Sequence, residues 1–122
     1  MTDFNKLVDR YIAVWNEPDA KVRSKAIAAL WTEGATFTDP LADVEGHEGI
    51  GAVIAKAREM FPGCAFRALP NVDGHHNVAR FGWELMPEAG GESIAAGFDV
   101  AVLAEDGRVS SILGFLDKVP GG

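Results

Sequence analysis

From Phe4 the apolar positions fall at Phe4, Leu7, Val8, Tyr11, Ile12 and Trp15. That spacing of three and four places them on one stripe of an amphipathic helix. Thr2 or Asp3 can cap its start, and "NEPD" ends it. Asp19 caps a second helix, with Val22, Ala26, Ile27 and Leu30 directed inward. "WTEGA" then breaks to a short strand, "ATFTDPL", in which Ala35, Phe37 and Asp39 share one face. Pro40 has no N–H for a ladder and stops it. "LADVEG" reads as a loop. After Gly46 a third helix runs through "HEGIGAVIAKAREMF", with Ile50, Val53, Ile54, Ala57, Met60 and Phe61 at helical spacing, until "PG" ends it.

From Cys64 the period changes. "CAFRALPNV", "VARFGWELM", "SIAAGFDVAVLA" and "RVSSILGFLDKV" read as four strands. Their separators "DGHHN", "PEAGGE" and "EDG" are turn-forming, so antiparallel hairpins are expected, and the final "PGG" reads as a tail. Helices first and strands last predict an α+β domain spanning 1–122, with three N-terminal helices packed on a curved antiparallel sheet. Such a sheet capped by helices is expected to form a cone with an apolar pocket, where a small ligand would bind. Two apolar faces on the last two strands predict a homodimer through the outer sheet face.

The 122 residues are 48% hydrophobic and 24% charged, an ordinary globular composition. A formal charge of −7 argues against nucleic acid and anionic membrane surfaces as partners. Cys64 is the sole cysteine, so neither an intrachain disulfide nor a cysteine-built zinc site is expected; it reads as a small core residue. His75 and His76 lie in a turn without a third ligand, so no metal is expected. Neither a leader nor a spanning segment is visible, and a cytoplasmic location is expected.

Two carboxylates stand out. Asp39 shares a strand face with Phe37, and is either a turn residue facing water or a base at the lip of an apolar pocket. Asp99 is the only charge in a twelve-residue run, and is either paired or a pocket acid whose pKa desolvation raises. Tyr11 fits the helix stripe, which reads equally as core with its hydroxyl tied to a backbone group. Strand parity makes Phe37, Phe81, Trp83, Leu103, Leu113 and Phe115 candidate pocket walls, with Trp15 from the first helix. Arg80 points away from them, outward or toward Glu84.

"RYIAVWNEPDA", "ATFTDP", "EGHEGI" and "AGFDVAVLAEDGRVSSILGFLD" together resemble the nuclear-transport-factor-2-like superfamily, and within it the SnoaL-like polyketide cyclase and ketosteroid isomerase branch. The likeness runs from Lys6 to Asp117. By that resemblance Asp39 of the "DP" is the general base, Tyr11 after Arg10 is an oxyanion donor, and Asp99 is a neutral acid donating to the same oxyanion. It implies a cofactor-free isomerase or cyclase working through an enolate on a small apolar carbonyl compound. A binder of small hydrophobic ligands is the alternative. Epoxide or other hydrolysis would need a cationic or amide partner that the sequence does not display. The 41–46 segment is shorter than its counterpart in steroid isomerases and Trp83 is bulky, so a steroid-sized cavity is not implied.

Overall fold

The first helix starts where Asp3 accepts a hydrogen bond from the Lys6 amide at 3.1 Å, one of the donors a helix start leaves unpaired. In the computed structural model, which describes residues 3–120, α1 covers Phe4–Asn16 and buries Leu7, Val8, Tyr11, Val14 and Trp15. Thr2 and Gly121–Gly122 lie outside the described residues. Asp19 caps α2 (Ala20–Leu30) by accepting from both Lys21 and Val22 amides. The buried positions of α2 are Arg23, Ile27 and Leu30. Val22, expected inward, is 49% exposed. The stripe at i, i+4 and i+7 is instead begun by Arg23, which turns its guanidinium to the Glu17 carbonyl at 2.7 Å.

The chain passes without a loop from α2 into β1 (Trp31–Asp39), four residues earlier than the pattern from Ala35 suggests, because Trp31 is wholly buried. Residues read as a loop form β2 (Ala42–Glu45), antiparallel to β1. Gly46, at φ 84°, then turns the chain directly into α3 (Gly46–Met60). Ile50 and Ile54 seat α3 on the core, while Met60 is 58% exposed. The remaining strands are β3 (Cys64–Ala68), β4 (Asp73–His75), β5 (Val78–Pro87), β6 (Ala95–Leu103) and β7 (Val109–Lys118). The separator "DGHHN" thus contains a short strand, paired with β5 through a turn at His76, whose φ is positive. Cys64 is half-buried rather than core.

The curved sheet runs β2-β1-β7-β6-β5-β3, with β4 off this path beside β5. It is α+β as expected but mixed, not antiparallel throughout: β1 lies parallel to β7. Parallel neighbours need a long crossover, and here residues 40–108 supply it. α1, α2 and α3 cover one face. Between them and the sheet, Tyr11, Trp31, Phe81, Trp15 and Phe37 pack ring against ring, with centroids 5.1–6.2 Å apart. No helix among the described residues is long and apolar enough to cross a membrane.

Candidate active site

Alternation along β6 decides where Asp99 goes. Ala95, Gly97, Asp99, Ala101 and Leu103 face the helices and are buried, while Phe98, Val100 and Val102 face outward. Asp99 is therefore a carboxyl in the interior, 6% exposed, and needs partners. It has two. The Tyr11 hydroxyl donates to Oδ2 at 2.7 Å, and the Trp83 indole N–H donates to Oδ1 at 3.3 Å. Tyr11 reaches it from the middle of α1, and Trp83 diagonally from β5, where Phe81 is the residue directly opposite Asp99.

Asp39 ends β1 on the other side of β7. A Cβ added at Gly114 of β7 would stand 2.8 Å from Asp99 Oδ1 and 3.1 Å from the Asp39 Cβ. The two carboxylates therefore flank one glycine, and that residue's missing side chain is what lets them approach. Asp39 Oδ1 accepts from the Leu41 and Ala42 amides, both at 2.8 Å. The turn reading of Asp39 holds, but its side chain is not turned wholly to water. One oxygen fixes the turn, and the half-buried side chain stands beside the interior acid.

Burial pushes the Asp99 carboxyl up to about 6; the Tyr11 and Trp83 donors oppose this and the charge of Asp39 reinforces it. The acid form then predominates only below about pH 6, whereas the resemblance implies an acid that stays neutral at working pH. Burial also raises the Tyr11 hydroxyl well above its ordinary value, with the Asp99 charge adding to it, so Tyr11 is a donor throughout the neutral range. Its proton goes to Asp99, not to open space.

The expected walls separate into three groups. Phe37, Phe81 and Leu103 are packed as core, at 2%, 1% and 6% exposure. Trp15 is similarly buried against Phe37 and Phe66, and its indole N–H has no acceptor among the described residues. Trp83 is half-buried, edge-on to Phe66 at 5.6 Å, on the same side as the carboxylates. Leu113 and Phe115 lie on the opposite face, 41% and 50% exposed, with Phe115 stacked on Phe98 at 4.9 Å. Both faces of β7 carry apolar residues, so alternation alone could not orient it. The inward positions are Ile112 and Gly114.

His75 and His76 lie at the β4–β5 turn, remote in the sheet from Asp39 on β1. His47 is in the first turn of α3, 2.9 Å from the Trp31 carbonyl. Arg80 is exposed, and Glu84 pairs instead with Arg67. Gly97 and Gly114 were the site residues that patterning overlooked. A glycine inside an apolar strand signals a close approach, and both are such cases. A Cβ at Gly97 would fall 2.1 Å from the Phe115 carbonyl oxygen and 2.9 Å from the Trp83 ring.

Residues 8–112 match the family model of the SnoaL-like domain. A SnoaL-like family protein of Agrobacterium tumefaciens, an inferred isomerase, is 39% identical over 96% of this chain and 99% of its own, with a TM-score of 0.90. An inferred SnoaL-like polyketide cyclase of Jannaschia sp. aligns over 96% of this chain and 90% of its own at 18% identity and a TM-score of 0.71. A cystatin-like protein of unknown function from Nostoc punctiforme aligns over 92% and 86% at 11% identity and a TM-score of 0.69. The latter two show likeness of fold alone. No curated protein matches the chain.

Proposed function

The chain belongs to the SnoaL-like family, and from that premise we propose that it is a cofactor-free isomerase or cyclase acting through an enolate on a small apolar carbonyl compound. The observation that carries this reading is the pair of carboxylates beside Gly114, one tied into a turn and one buried under Tyr11 and Trp83. Asp39 keeps one oxygen outside its turn bonds and takes the proton α to the carbonyl. Asp99, when protonated, donates to the oxygen on which charge develops, and Tyr11 holds Asp99 in place. The inferred isomerase activity of the Agrobacterium relative, 39% identical to this chain, supports an isomerase reading.

The test is deuterium incorporation from D₂O into a panel of cyclic enones and β-diketones, followed by NMR. Exchange at the α-carbon is expected. Its kcat/KM is expected to fall as pH rises through about 6, because the donor form of Asp99 in the free protein is lost there. A protein that binds a panel compound without exchanging it is instead a carrier, the second reading, which the turn-forming role of Asp39 favours.

The outer sheet face, with Phe98, Leu113 and Phe115, is proposed to pair with a second copy. Sedimentation is expected to show a dimer at micromolar concentration and a monomer for Phe115→Glu. A monomeric wild type would refute the pairing.

A further inference from the structure

The two hydrogen bonds on Asp99 are unequal. Tyr11 holds Oδ2 at 2.7 Å, a length typical of a charge-assisted O–H bond, whereas Trp83 holds Oδ1 at 3.3 Å, longer than a good N–H bond. A carboxylate that gains a proton gives up acceptor capacity on the oxygen that binds it, and the weaker bond is the one more readily surrendered. Oδ1 is also the oxygen beside Gly114, toward Asp39. We propose that Trp83 is a positioning residue that competes with the acid proton for Oδ1 of Asp99, and so sets how readily that carboxyl becomes a donor on the Gly114 side.

The indole is built for this. Gly97 lies directly opposite Trp83 on β6, and any side chain there would strike the ring, so the indole rests on bare backbone. Phe66 meets the indole edge-on. The titratable groups that face Asp99 are Tyr11 from α1 and Asp39 from β1; β5 contributes only the indole, and β7 only Gly114. Protonation takes one proton from solvent onto Oδ1, releases the indole N–H, and leaves the Tyr11 bond intact. The inference rests on the reading of Asp99 as an acid donor, but its test does not require activity.

The experiment follows the Asp99 side-chain carboxyl carbon by NMR against pH in ¹³C-aspartate-labelled protein, wild type and Trp83→Phe. The variant keeps most of the ring's shielding and removes its N–H. The midpoint is expected to rise by roughly 0.5–1 unit, since a weak hydrogen bond to a charged group is worth about that much. A Trp83 that served only to exclude water would give the opposite sign, because a wetter Asp99 ionises more easily. An unchanged or lowered midpoint overturns the proposal. A second readout needs no variant: the wild-type Trp83 indole proton is expected to shift upfield on acidification with the same midpoint as the Asp99 carboxyl. An indole resonance indifferent to that titration also overturns it. A raised midpoint in a protein that exchanges no panel substrate would sink the enolate reading and leave this inference standing. Exchange with an unmoved midpoint would do the reverse.

Discussion

Asp39→Asn is expected to reduce α-proton exchange by roughly 10²–10⁴-fold, the usual contribution of a positioned general base. The substitution isolates chemistry from folding. Asparagine keeps an Oδ1 that can accept the Leu41 and Ala42 amides, and it suits the same turn, so β1 and β2 stay joined as they are. Only the basic oxygen is lost. Removing the charge also lowers the Asp99 pKa, because Asp39 helps raise it. The comparison therefore belongs near pH 5, and rates should be measured alongside thermal unfolding of both proteins. An Asp39→Asn protein that unfolds like wild type and exchanges as fast would remove Asp39 from the mechanism.

The second large effect is on stability. The Asp99 pKa is raised from 3.8 to about 6 on folding. Between those values the unfolded chain has lost the proton while the folded protein keeps it, so stability falls as pH rises and levels off above about 6. A shift of that size corresponds to about 3 kcal/mol. Asp99→Asn cannot ionise. The difference in unfolding free energy between the two proteins, from urea titrations at pH 4 and pH 7, is expected to swing by about 2.4 kcal/mol in favour of the asparagine variant, the remainder of the shift lying below pH 4. Carboxylates remote from Asp99 contribute equally to both proteins and cancel. A pH-independent difference would mean that Asp99 ionises as freely in the folded protein as in the unfolded chain. The expected result makes the site a cost in stability that the rest of the fold offsets, as is common where a buried acid is retained for chemistry.

Where the chain is locally determined, the sequence was legible. The α1 stripe, both aspartate caps and the inner face of β6 follow from spacing and from single side chains. The pairing of β1 with β7 is not, because strand direction within a sheet leaves no mark on a nine-residue pattern. β2 was missed because four residues alternating with Asp43 and Glu45 look the same in a loop. At the site, residue type singled out Asp39 and Asp99, the family resemblance added Tyr11, and the chain fold brings them together. The size of neighbouring residues misled. Leu113 and Phe115 looked like walls, yet the inward position between them is Gly114, whose use is to be small.

The parallel seam between β1 and β7 also orders events in time. Thr36 bonds to Ser111 across it, 75 residues apart in the chain. During synthesis β1 must wait for β7, the last strand, to leave the ribosome, and contacts of such separation slow folding. Asp39 therefore has no neighbour at Asp99 until the chain is almost complete. A product that ends between β6 and β7 would hold both carboxylates but lack the strand that sets them side by side.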